Sequence, residues 1–494
     1  MVLIGWITRN GSGMSGDSVW YQMGAENILA GKGYLRFSGA GELRPITHFP
    51  PFYSIVLAGL GVTGLDLASA GRWLNVALFG FNIALLWIIV EGVSRSWFLA
   101  SIATTLTVVN LGTIKYYSWL MTEPLFITLT LVSLYFLLRY SQGNRLRNLI
   151  TAAIFAGLAA ATRLIGLGFV AAGCAFLLII NLGKVRQRLA RSLLFFALAV
   201  IPAVLWLLQS SSVGEGTFNR SIIFHPMSVE LLKGYFLFLG DWIQLHRLMP
   251  GDFRFVIAVL LATVGPILYF IEWIREWRAH NSPSFRLQES AYFLFLFYLV
   301  CYIVVLYVNS TLIDASTTPY APERYLTSIY PVFVMLTLLA YFNLWKRANR
   351  KRSASVVLLL LVAGVVFLQG RVTWRAVAQD EIPLGYTDFV SSHPAFIKAV
   401  QDSAQSHVIY SNNPELTYAL SGIGSYILPF KYNSGTGLVN PGFGQNVEKM
   451  KEDLALGGRI IHFGEMDEQE ADLYNMLDLQ IVSRFPAGEI YKVR

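Results

Sequence analysis

Long apolar stretches separated by short polar connections fill most of the chain, and the rhythm then changes near the C-terminal end. Stretches that can span or nearly span a bilayer cover residues 74–93, 97–114, 124–140, 149–162, 164–182, 193–209, 255–274, 291–308, 325–345 and 355–368. A helix needs about 20 apolar residues for this. Ahead of them, MVLIGWIT is apolar but too short to cross, and reads as the remnant of a longer helix. Arg95; Arg139, Arg145 and Arg147; Lys184, Arg186, Arg188 and Arg191; Arg275, Arg278 and Arg286; and Lys346, Arg347, Arg350, Lys351 and Arg352 fall on every second connection. Basic residues stay on the cytoplasmic side, so those connections are assigned there. The alternation closes only if 149–162 and 164–182 are separate helices joined by a tight outward turn at Arg163. The pattern predicts a mainly α membrane protein, a polytopic helical bundle of about ten full spans after a truncated first helix.

Four polar regions fall on the outer side: 8–72, 115–123, 210–254 and 309–324. Within the first outer loop, SGDSVWYQMGAENILAGKGY reads as a short amphipathic helix. Asp17, Tyr21, Gly24 and Ile28 recur on one face, and Gly31 stands where a left-handed residue ends a helix. THFPPFYSIVLAGLG is too short and too Pro-rich at its start to span, and reads as a helix lying at the interface. The spans and this loop form one domain, 1–370. Residues 371–494 have strand-length apolar runs between helices with polar faces. SHPAFIKAVQDSA, NPELTYALSG and DEQEADLYNML read as helices, HVIYS and RIIHFG as strands, and LQIVSRFPAGEIYKV as a terminal hairpin. A small α/β domain outside the membrane is expected.

Composition narrows the function. With 55% hydrophobic and 14% charged residues the chain belongs in a bilayer. A net charge of +8 would suit nucleic acid, but the basic residues are dispersed over the connections, so no nucleic-acid partner is expected. Cys174 and Cys301 lie inside separate apolar runs, which excludes a disulfide framework or a CxxC metal site. HExxH, P-loop and GxSxG patterns are absent, and His48, His225 and His246 lack a histidine partner at metal-ligand spacing. No metal ligand is assigned.

The candidate chemistry lies at the outer ends of the apolar segments. Asp17, in the first turn of its helix, fits two roles equally from spacing: a cap that opposes the helix dipole, or a carboxylate aimed at a substrate. Arg163, in AATRLIGL, would cost roughly 2.5–3.5 kcal/mol at a bilayer centre. It either snorkels to the surface or clamps an anion with its planar fork. Arg324, in APERYLTSIYP, is an interfacial anchor or faces the outer compartment together with Glu323 and Asp17. Glu123, in MTEPLF, heads a helix with Pro124 in its first turn, an arrangement that favours capping. Tyr21 shares the face of Asp17, and His48 lies at the edge of the outer loop.

GDSVWYQMGAENILAGKGY, HFPPFYSIVLAGL, AGRWLNVALFG, TEPLF, ATRLIGL and ERYLTSIYP, in this order, resemble the polytopic glycosyltransferases of the C superfamily that use polyprenyl-phosphate sugars. That group contains the protein O-mannosyltransferases and the lipid A aminoarabinose transferases. The resemblance implies that Asp17 is the catalytic base and that Arg163 and Arg324 bind phosphate, with Glu123, Glu323, Tyr21 and His48 lining the substrate site. It implies a polyprenyl-phosphate sugar donor, a lipid, glycan or protein acceptor, and a multi-pass location in a bacterial inner membrane or a plasma membrane. Many relatives carry an acidic pair where Asp17 is followed by Ser18, so a divalent-cation cofactor is left open. A base that deprotonates an acceptor hydroxyl contributes typically 10²- to 10⁴-fold. Cations suffice for a phosphate leaving group, and a single displacement inverts the anomeric centre. The alternative is a flippase or transporter, but its inverted repeats and broken helix pairs are not evident.

Overall fold

The computed structural model describes residues 1–39, 41–180, 183–213, 253–280, 287–312, 322–347, 352–405, 407–432 and 439–494, together with scattered positions between 224 and 242. His225, His246, Arg286, Arg350 and Lys351 lie outside the described residues.

The segment ahead of the first long apolar helix is a compact unit. Helix Gly16–Leu29 starts at Ser15, whose N–H donates to Ser18 Oγ (3.1 Å), and it ends just before Gly31 at φ +71°. Serines therefore occupy the capping role, and the Asp17 carboxylate is left for other partners. Hairpin strands Leu35–Ser38 and Glu42–Pro45 follow, with Arg36 opposite Arg44. Helix Phe52–Gly61 lies against Gly16–Leu29, and Ser54 Oγ donates to Tyr21 O (2.9 Å). The approach is close at Gly24, where a Cβ would meet Tyr34 at 2.5 Å and Ser54 Oγ at 3.0 Å.

All ten apolar stretches fall on helices or helix pairs. Among the described residues five helices are long and apolar enough to cross a membrane: Leu67–Ser94, Glu123–Gly143, Val185–Ser212, Leu287–Leu312 and Leu359–Ala378. A sixth candidate is bent by 61°. The continuous apolar run 97–114 is that broken element, Trp97–Val108 followed by Leu111–Ser118, because Asn110 starts a new helix: its Oδ1 accepts from Thr113 N–H at 2.8 Å. The run 325–345 is also divided, into Pro322–Thr327 and Tyr330–Arg347. Helix Leu146–Thr162 stops at Arg163, which is extended (φ −148°, ψ 126°), and a single turn, Leu164–Gly166, leads into Leu167–Ile179.

Helix Arg352–Ala378 continues past the domain boundary placed at 371, so the change in architecture comes after Ala378. Beyond it a five-stranded mixed sheet forms. Strand Ile409–Ser411 pairs in parallel with Tyr426–Ile427 and Arg459–Phe463, and Gly488–Val493 joins Arg459–Phe463 to Leu479–Phe485 in antiparallel pairs. Successive strand residues point to opposite faces. Ile409, Ile461 and Ile490 pack with Phe396, Val400 and Leu416 on one side; Tyr410, Ile460 and Tyr491 pack with Met450, Leu454 and Leu473 on the other. The helices behind these residues make the layers of an α/β sandwich, including two absent from the sequence reading, Tyr386–Ser392 and Phe443–Ala455.

Candidate active site

Four charged groups from distant parts of the chain meet in alternating order. Glu123, 0% exposed, begins helix Glu123–Gly143; Arg163, 9% exposed, ends helix Leu146–Thr162; Arg324, 15% exposed, lies on Pro322–Thr327; and Asp17, 24% exposed, lies in the first turn of Gly16–Leu29. Arg324 donates from Nη1 to Asp17 Oδ2 and from Nε to Glu123 Oε1. Arg163 Nη1 pairs with the same Glu123 Oε1 and donates to Thr122 Oγ1 at 3.2 Å. Its guanidinium also lies 5.4 Å from the Tyr325 ring centroid. Capping does not describe Glu123: its carboxylate is the shared counter-ion of two guanidiniums. Such a set is stable in a dry interior only because each charge has an opposite neighbour.

Glu323 faces another partner. Its Oε2 accepts from Lys115 Nζ at 2.8 Å, which brings helix Leu111–Ser118 to the edge of the site. Lys115 had served only as a loop boundary in the sequence; its signal was a lone ammonium in the apolar and aromatic run LGTIKYYSWL.

Tyr21 is beside the acids but buried, 2% exposed, with Phe49 and Tyr53 edge-on at 5.2 and 5.3 Å. Burial, then the charge of Asp17, pushes its phenol well above the usual range. Its ring is thus a wall behind Asp17 rather than an open contact surface. His48 lies against Trp20, with ring centroids 5.9 Å apart.

The C-terminal domain also reaches the site. Trp20 Nε1 donates to Glu415 Oε1 (2.8 Å), and the Arg36 guanidinium lies 4.1 Å from the Trp20 ring centroid. Tyr386 Oη donates to Asn413 Oδ1 (2.9 Å). Burial, the first cause, with Glu415 and Asp17 adding and the Asn413 bond opposing, pushes that phenol up to about 12.

Both carboxylates of the central set are engaged by arginines, and no group of three His, Cys, Asp or Glu side chains suited to a metal occurs among the described residues. A cavity of about 440 Å³ opens between helices Trp97–Val108, Tyr330–Arg347 and Arg352–Ala378. Leu99, Leu106, Phe333, Val334 and Val362 line it, with Tyr330 and Gln369 supplying polar atoms.

No protein-family model matches the chain, and no curated protein sequence matches it. Solved structures do. The chain is similar to ArnT from Cupriavidus metallidurans bound to undecaprenyl phosphate, with a TM-score of 0.59 at 13% identity over 99% of this chain and 96% of that one. It is also similar to the archaeal oligosaccharyltransferase AglB from Archaeoglobus fulgidus, in complex with an inhibitory peptide and a dolichol-phosphate. There the TM-score is 0.53 at 11% identity, over 92% of this chain and 66% of that one. The chain is a multi-pass membrane protein with the fold of these enzymes.

Proposed function

We propose that the protein is an inverting glycosyltransferase that moves a sugar from a polyprenyl-phosphate donor to an acceptor hydroxyl at the outer face of the membrane. The observation that carries this reading is the junction at Arg324, which touches Asp17 with one nitrogen and Glu123 with another. The two requirements of the reaction, a base and a stabilised anionic leaving group, meet at one side chain. The C1–O bond to the lipid phosphate breaks as the acceptor oxygen attacks C1 from the opposite face. Asp17 takes the acceptor proton, and the bond electrons leave on the phosphate, where Arg324 and Arg163 offer N–H groups to the developing charge. Glu123 keeps both guanidiniums charged and aimed. The fold shared with a structure that holds undecaprenyl phosphate supports a lipid-phosphate carrier, and the apolar cavity near Tyr330 would take part of the tail.

The helix ends support this sidedness. Glu123 begins a 21-residue helix whose other end carries Arg139 and is followed by Arg145 and Arg147. The next helix starts among those arginines and returns to Arg163. The basic end is cytoplasmic by the positive-inside rule, so the site and the C-terminal domain face outward, in an inner or plasma membrane with about ten crossings.

The test is release of free polyprenyl phosphate from a panel of labelled polyprenyl-phosphate sugars, by purified protein in detergent with lipid, glycan and peptide acceptors added to take the sugar. Wild type is expected to cleave one or more donors, and Asp17→Asn to lose at least 10²-fold in rate while keeping its fold. Near-normal cleavage by a folded Asp17→Asn protein would remove Asp17 as the base. Cleavage of no donor by wild type would remove the reading itself, since a flippase or transporter has no bond to break.

A further inference from the structure

Asp17 is not carried by a free loop. The segment just before its helix, 12–14, runs between two others and bonds to both. On one side Gly13 N–H donates to Ser118 O (2.9 Å) and Leu120 N–H donates to Gly13 O (2.8 Å). On the other, Met14 N–H donates to Leu384 O (3.0 Å) and Tyr386 N–H donates to Met14 O (2.9 Å). Side chains close the arrangement. Thr387 Oγ1 donates to Ser12 O (2.6 Å), and Trp119 Nε1 donates to Pro383 O (2.8 Å). The third segment, 382–387, is the entry to the C-terminal domain.

Gly385 is the point of closest approach. Its φ is +61°, and a Cβ there would lie 2.3 Å from Met14 O, so both the backbone conformation and the space require glycine. Farther along, the same domain holds the Asp17 helix twice more: Glu415 accepts from Trp20 Nε1 (2.8 Å), and Tyr418 Oη donates to Glu26 Oε2 (2.6 Å).

The two halves of the reacting site have different anchors. Glu123 and Arg163 stand at ends of apolar helices and Arg324 on the short helix Pro322–Thr327 that precedes another, whereas Asp17 belongs to the outer loop. Their relative position is therefore set by whatever fixes that loop. We propose that the C-terminal domain is a working part of the site, with Gly385, Thr387 and Glu415 as positioning residues that keep the Asp17 carboxylate against Arg324. The proposal rests on the glycosyl-transfer reading for the role of Asp17, and it adds a reason for the domain's place. A base must lie within hydrogen-bond reach of its proton, and a displacement of about 1 Å can cost 10²-fold in rate.

The experiment uses the full chain in detergent with Thr387→Val and Gly385→Ala. Turnover of the donor that wild type cleaves is expected to fall about 5-fold for Thr387→Val, the size of one lost hydrogen bond. For Gly385→Ala the expected fall is on the order of 10²-fold. Binding of polyprenyl phosphate alone should stay within about twofold in Thr387→Val, because the arginines are untouched. Unchanged turnover in Gly385→Ala would overturn the proposal. So would equal losses of turnover and polyprenyl-phosphate binding in Thr387→Val, which would mark a general structural defect. A wild type that cleaves no donor defeats the functional reading instead, and hydrogen exchange then decides the coupling. Faster exchange at Gly13, Met14 and the start of helix Gly16–Leu29 in Thr387→Val supports it, and unaltered exchange there ends it.

Discussion

Glu123 is fully buried between the Arg163 and Arg324 guanidiniums, whereas the Asp17 side chain keeps 24% of its surface in contact with solvent. The two acids should therefore respond differently to the loss of their charge. Glu123→Leu strands the buried Arg163 and leaves Arg324 with Asp17 alone, and removing one partner of a buried ion pair costs about 3–5 kcal/mol. A partly exposed pair such as Asp17 with Arg324 contributes nearer to 1 kcal/mol or less. Unfolding in detergent should show a large drop for Glu123→Leu and a small one for Asp17→Asn. The double variant Glu123→Leu, Arg163→Leu should lose less than the two single losses added together, because each removes the other's stranded charge. Additive losses would mean that the two side chains do not share their burial cost. Asp17, Arg163, Arg324 and Glu123 could be picked out of the sequence because each is a charge at the end of an apolar run. That they form one alternating chain could not, since their helices are brought together only by packing. The helical spacing put Tyr21 on the face of Asp17, but spacing does not tell which face a neighbouring helix covers.

The helices show the same limit at longer range. The apolar run 97–114 has neither Pro nor a charge, so its pattern reads as one span, yet the chain turns by 61° between Val108 and Leu111. The cause is a single buried side chain, Asn110, whose Oδ1 accepts from both the N–H (2.8 Å) and the Oγ1 (3.1 Å) of Thr113. This cap gives the second half its own direction, and that half carries Lys115 to Glu323. Asn110→Ala should cost about 0.5–2 kcal/mol in unfolding, the usual worth of an N-cap. If the bend serves to place Lys115, a cysteine pair at 115 and 323 should crosslink less readily in the Asn110→Ala background. An unchanged crosslinking rate would show that packing alone holds the angle. In the C-terminal domain the alternating and capped segments are legible: NPELTYALSG forms helix Pro414–Ser421 between its cap, Asn413, and the left-handed Gly422. Helix Phe443–Ala455 is not, because a long polar stretch with widely spaced apolar residues gives a weak signal until Val447, Met450 and Leu454 are seen against one sheet face.

The direction of the molecule in the bilayer ties these parts together, and it can be tested without knowing the substrate. Glu123 and Arg163 lie at the helix ends opposite Arg139, Arg145 and Arg147, Arg324 joins Glu123 to Asp17, and the C-terminal domain is bonded to the Asp17 segment through Ser12, Met14 and Trp20. One sidedness must therefore hold for both. Leu456, 88% exposed on the C-terminal domain, and Gln142, exposed near the basic end of helix Glu123–Gly143, are suited to single-cysteine labelling with a membrane-impermeant maleimide. The native thiols of Cys174 and Cys301, each partly buried on an apolar helix, should react slowly with a reagent that stays in water. In intact spheroplasts Leu456→Cys should be labelled at once, and Gln142→Cys only after permeabilisation. The reverse pattern would place the Asp17 site on the cytoplasmic side. Labelling of both positions from outside would break the alternation of basic connections on which the count of crossings rests.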